Sequence, residues 1–268
     1  MKKFVIKKTL PGAGKISPKK WASTIADLSS TYKIIITGCL ILIISGTFSA
    51  CKKSNDKKPA CSIIAASIPS VGTLFNFLYN SNGKLTRISA DRNFTTFDYP
   101  TDNTIIATTV DSGRFQSKKI INVNAAGLAT NVRIENNVAG TEFTNDSFEY
   151  NGEELTRSTS TSSFDATSRI TTFTWFNGNM VTITSGGTII ESREYFTDKP
   201  RQIGDFFSFN QFVQGFETVR TKNLVKFTSQ SSGINFTYEF GADNNISSVK
   251  AALSNGVSAF QDYQYECK

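Results

Sequence analysis

The 268-residue chain contains no histidine, and that absence removes more chemistry than any other feature of its composition. Without an imidazole there is no Ser-His-Asp or Cys-His nucleophile system, no zinc-binding His-Glu-x-x-His helix and no proton shuttle working near neutral pH. Long apolar runs are missing as well: Ile34 to Ile44 spans 11 residues, where a membrane-crossing helix needs roughly 20. The motifs that do occur fail on context. Gly12-Ala13-Gly14-Lys15 is no phosphate loop, because Thr9 stands where the first glycine belongs and Ile16 replaces the Ser/Thr. Ser81-Asn82-Gly83-Lys84 has the Ser-x-x-Lys spacing of acyl enzymes, whose serine opens a helix, yet here it falls in a predicted turn. Asp243, Asn244 and Asn245 lack EF-hand spacing and read as a polar turn. Glu153 and Glu154 are adjacent, so on a strand they point to opposite faces. A glycosidase-like hydrolase needs two acids facing each other about 5 to 10 Å apart. The expectation is a protein without enzymatic activity, cofactor or metal, with a carboxylate-based hydrolase as the alternative.

The amino-terminal region has the parts of a secretory signal. Eight lysines (2, 3, 7, 8, 15, 19, 20 and 33) against the single acid Asp27 precede the short apolar run, and small residues follow it. Phe48-Ser49-Ala50-Cys51 resembles the lipobox of bacterial lipoproteins, which implies cleavage before an acylated Cys51. The division expected is a signal peptide over 1–50, a lipidated tether over 51–60 and a folded domain over 61–268. The alternatives are an ordinary signal peptide cut near Ala50 without acylation, and an anchor that stays uncleaved.

Removing the eight lysines and one acid of the first 51 residues from the chain's 29 basic and 22 acidic leaves 21 of each. The formal +7 therefore belongs to the leader, and it gives no reason to expect a nucleic-acid partner. Lys52, Lys53, Lys57 and Lys58 read as a solvated tether beside the membrane. Cys39 leaves with the leader and Cys51 carries lipid, so Cys61 and Cys267 remain at the two ends of the domain. In an oxidising compartment they are a candidate disulfide; two separate buried thiols are the other possibility.

Over the domain, aromatic residues recur at alternate positions: Phe75, Phe77 and Tyr79; Phe97 and Tyr99; Phe148 and Tyr150; Phe173 and Trp175; Phe207 and Phe209; Phe236, Tyr238 and Phe240; Tyr263 and Tyr265. A period of two means strands with one aromatic face. Four Asn-Gly pairs, at 82–83, 151–152, 177–178 and 255–256, suggest type I′ hairpin turns. Tyr99, Val123, Tyr150 and Trp175 follow one another at 24, 27 and 25 residues, the length of one hairpin unit, so the pattern is that of repeated hairpins. So many phenylalanines must be covered, and an antiparallel meander that curls into an open sheet or a barrel would cover them. One stretch breaks the period: Phe206, Phe209, Val213 and Phe216 are spaced three, four and three, an apolar stripe on a short helix near 204–216 with Asp205 available as its N-cap. Such a helix can plug the mouth of a curled sheet. Alternatively Phe206, Phe209, Phe212 and Phe216 form a lid over an apolar ligand pocket, or Phe207 and Phe209 continue the strand pattern.

A lipobox, a lysine-rich tether and units of the form Tyr79, Gly83, Leu85, Ile88 together resemble Bacteroidota-type lipoproteins of unknown function with a porin-like fold, and the unit is similar to tyrosine-aspartate repeats. The likeness covers roughly residues 70 to 266. It implies a fold and an address in the cell envelope, on the outer membrane through the lipid of Cys51, without catalytic residues to carry over. The function expected is a membrane-anchored module that binds a small apolar ligand, a glycan or a protein, or serves a structural role; a secreted adhesion repeat is a further alternative.

Overall fold

The computed structural model describes residues 61–267 apart from 230–232. The expected signal peptide, the tether and Cys51 lie outside the described residues. The chain divides at Lys57/Lys58 into two units, and the second closes on itself, so the barrel holds all its own sheet partners.

Strands follow one another along the whole domain: β1 (Cys61–Ile68), β2 (Thr73–Tyr79), β3 (Leu85–Ala90), β4 (Asn93–Thr101), β5 (Thr104–Asp111), β6 (Arg114–Val123), β7 (Ala129–Glu135), β8 (Phe143–Asn151), β9 (Glu154–Ser162), β10 (Asp165–Phe176), β11 (Asn179–Ser185), β12 (Thr188–Pro200), β13 (Asn223–Thr228), β14 (Ile234–Phe240), β15 (Ile246–Leu253) and β16 (Ser258–Cys267). Each pairs antiparallel with the next, and β1 pairs with β16, so the meander is a closed 16-strand barrel rather than an open sheet. Closure removes both sheet edges, which would otherwise recruit other strands. At the seam Cys61 and Cys267 are register partners with Cα atoms 4.0 Å apart, joined by a disulfide.

Alternation decides which way each strand faces. In β2, Phe75, Phe77 and Tyr79 turn inward while Leu74, Asn76 and Leu78 are exposed. The buried set contains Phe77, Ile88, Phe97, Ile121, Val132, Phe236, Val249 and Tyr263, drawn from β2 to β4, β6, β7 and β14 to β16. The outer face carries charges in cross-strand pairs, Lys118 with Glu135, Arg157 with Glu149 and Lys226 with Glu194. The outer face also exposes single apolar residues, Leu74, Leu78, Ile170, Ile189, Ile190 and Phe260. Among the described residues no helix is long and apolar enough to cross a membrane.

The turns correct one expectation. Type I′ geometry needs positive φ at both central residues, and of the four Asn-Gly pairs Asn177-Gly178 has it, at 51° and 75°. At 82–83, 151–152 and 255–256 the glycine alone is left-handed. In the first of these Asn80 holds the loop: its side chain accepts from the backbone N–H groups of Asn82 and Lys84. The same two-residue geometry appears instead at Ser112-Gly113 and Gly186-Gly187.

The connection between β12 and β13, residues 201–222, carries a short α-helix, α1 (Phe206–Gln214). Asp205 is its N-cap, accepting from the N–H groups of Phe207 and Ser208, and Gly215 ends it in a left-handed conformation. These caps settle the ambiguity at Phe207 and Phe209, which are helical and not part of a strand. Gly215 meets a second demand, since a Cβ there would collide with the Phe97 ring.

Candidate functional site

The helix sits inside the barrel and its aromatic residues divide into two groups. Phe209, 2 % exposed, packs edge-on against Phe75 and Phe77 and also meets Tyr263, while Phe206 contacts Phe236. These two anchor the plug. Phe212, with its ring 5.2 Å from that of Phe77, and Phe216, 6.4 Å from Phe148, also line a cavity of about 410 Å³ between the helix and the wall formed by β1 to β6. All four phenylalanines expected to form a lid therefore pack against neighbouring rings, and two of them border space as well. A smaller cavity of about 270 Å³ lies against the β8 to β12 wall, bordered by Phe148, Phe173, Met180 and Phe207.

Polar contacts fix the helix at both ends. Lys119, on β6, donates from Nζ to the carbonyl of Gln214 at 3.0 Å, placing a cation at the helix C-terminus, where the macrodipole favours it. Burial lowers the pKa of this lysine. Gln211 ties the helix to the chain that returns from it: its Oε1 accepts from the N–H groups of Thr218 and Val219, and its Nε2 donates to the Val219 carbonyl. Glu217 accepts from both Arg201 and Arg220, joining the two ends of the connection. Asp205 is 3 % exposed, and burial raises its carboxyl pKa against the opposing pull of two backbone N–H groups and Arg201 at 3.7 Å. Below the helix Glu191 and Arg193 form a buried ion pair, with the guanidinium 4.1 Å from the centre of the Phe207 ring.

A ring of hydrogen bonds encircles the plugged end. Tyr79 donates to the carbonyl of Ile63, Tyr99 to Leu85, Tyr150 to Ala129, Trp175 to Leu155, Tyr195 to Met180, Tyr238 to Val225 and Tyr265 to Ile246, all at 2.6 to 2.9 Å. Each bond runs from the second strand of a hairpin back to the start of the first, and a half-buried hydroxyl or indole N–H needs such a partner. The 16 strands make eight hairpins, and seven have this clasp. The spacing of Tyr99, Val123, Tyr150 and Trp175 marks the repeat in the sequence. Its acceptors are backbone carbonyls without a sequence signature, so the clasp itself is not legible there.

Chemistry at the cavity is sparse. Its lining includes one carboxylate, Glu217, already paired with two arginines, so it holds no facing pair of acids. Among the described residues no group of three or more His, Cys, Asp or Glu side chains could hold a metal ion. Ser81 and Lys84 lie in the β2–β3 turn, Asp243 to Asn245 in the β14–β15 turn, and Glu153 is exposed, 3.9 Å from Arg220.

No protein-family model and no curated protein matches the chain. Among solved structures it is similar to a porin-like protein from Bacteroides uniformis, at 18% identity and a TM-score of 0.53, over 72% of this chain and 91% of that one. The likeness is one of fold, a closed antiparallel β-barrel.

Proposed function

We propose that this chain is an envelope lipoprotein, anchored through acylated Cys51, whose water-facing barrel binds a small apolar ligand between its plug helix and the β1 to β6 wall. The observation that carries this reading is the 410 Å³ cavity, which combines apolar walls from Leu85, Phe97, Ile105 and Phe212 with a polar border at Arg201 and Glu217. Small-molecule sites have this composition, a mostly apolar concavity with few polar groups. Inward aromatics and outward ion pairs suit a barrel that stands in water beside the membrane, and a covalent anchor would hold it there without insertion. Binding would then be driven by apolar burial, roughly 25 cal/mol per Å² before the cost of association.

Native mass spectrometry of residues 52–268, exported to a bacterial periplasm, tests this reading. A bound small molecule is expected, released by organic extraction and diminished by Phe212→Ala. A spectrum with bare protein alone, from material never exposed to detergent or solvent, would contradict it and turn attention to a glycan, a protein partner or a structural role.

A further inference from the structure

We infer that Val123 creates the cavity, and that its occupant is an uncharged, hydrocarbon-rich molecule recognised by apolar contact; this rests on the binding reading above and specifies it. Tyr79 pairs with Leu85, Tyr150 with Leu155, Trp175 with Met180 and Tyr195 with Val225, and each partner's carbonyl accepts the clasp of the next hairpin. Val123 pairs with Ala129 in the same way, and Ala129 accepts from Tyr150. Val123 therefore occupies the clasp position of the β5–β6 hairpin, with neither ring nor hydroxyl. Ile105 stands near the start of β5, where the other hairpins place the accepting residue. Val123 and Ile105 both line the cavity. The void lies where one of eight repeated rings is missing.

The class of ligand follows from what the walls have left to offer. The hydroxyl hydrogens of Tyr79 and Tyr99 are committed to the carbonyls of Ile63 and Leu85. Gln211 is committed to the chain at 218–219, and Arg201 and Glu217 bind each other. A carboxylate or phosphate pushed into the apolar part would lose water without gaining one of these donors. Hydrocarbon loses nothing there, and a polar end would stay at the Arg201 border.

The test is fluorescence titration of residues 52–268 with N-phenylnaphthylamine, an uncharged apolar probe, on the parent and on Val123→Tyr. The parent is expected to bind, decanol to displace the probe better than decanoate, and Val123→Tyr to weaken binding at least ~tenfold with an unlowered thermal midpoint, because the new ring fills the gap and can clasp Ile105. Equal binding by parent and variant would overturn the role of Val123 while leaving the binding reading intact. Stronger displacement by decanoate would overturn the ligand class, and a parent that binds no probe would overturn both. Should Val123→Tyr fail to fold, Val123→Phe and Ile105→Phe fill the same space without a buried hydroxyl, and unchanged probe binding by them would equally overturn the inference.

Discussion

Reduction of the Cys61–Cys267 disulfide is expected to lower the stability of the barrel by about 5 kcal/mol, the value of the chain-entropy relation for a bridge with a sequence separation of 206 residues. Domains of this kind are stable by roughly 5 to 15 kcal/mol in total, so the loss is large. The location adds to the effect of length. Every other strand pairing joins neighbours in sequence, whereas β1 and β16 come from opposite ends of the domain, and their pairing is the one that closes the barrel. Loop-closure entropy falls hardest on that contact. The check is urea unfolding of the oxidised domain and of the Cys61→Ser/Cys267→Ser double variant. Equal midpoints would show that the seam is held by strand pairing alone.

Raising the pH above about 10 is expected to unfold the barrel cooperatively. All seven tyrosines of the described barrel have raised pKa values, with burial as the leading cause, and that of Tyr195 is pushed up to about 12. A phenol whose folded pKa exceeds its unfolded value near 10 stabilises the fold below pH 10. Above that, the unfolded chain loses its proton first, binds fewer protons than the folded one, and stability falls with pH until the folded pKa is passed. For Tyr195 alone the window from pH 10 to about 12 is worth about 2 to 3 kcal/mol. Six of the seven donate the same proton to a backbone carbonyl, so ionisation also breaks the clasp. Tyrosinate absorbance and far-ultraviolet circular dichroism should therefore change together. Tyrosinate forming near pH 10 with the dichroism of the folded barrel intact would contradict the buried ring of hydroxyls.

Local features of this molecule were legible in the sequence because they repeat within a few residues. Alternating aromatics marked the inward face of β2, β8, β14 and β16, and the three-four-three spacing with Asp205 marked α1. Phe207 and Phe209 fitted both periods, and the caps at Asp205 and Gly215 decided between them. Closure was not legible, since no local pattern reports that the first strand meets the last. Nor was the turn chemistry complete: at three of the four Asn-Gly pairs the asparagine keeps negative φ, because the loop geometry there requires a left-handed glycine alone. The cavity was hidden for a similar reason. Val123 kept the spacing of the repeat, and its meaning as a missing ring depends on carbonyls brought near it by pairing between distant segments. Lys119, on an otherwise ordinary strand, gave no sign that it would meet the end of a helix 95 residues away.

The most direct measurement is a crystal structure of residues 52–268, refolded free of bound small molecules, under xenon pressure. Apolar cavities stay dry and take up xenon, whereas polar ones fill with ordered water. Xenon bordered by Ile105, Val123 and Phe212 is the expected result. A chain of ordered waters filling that space, with no xenon, would contradict it.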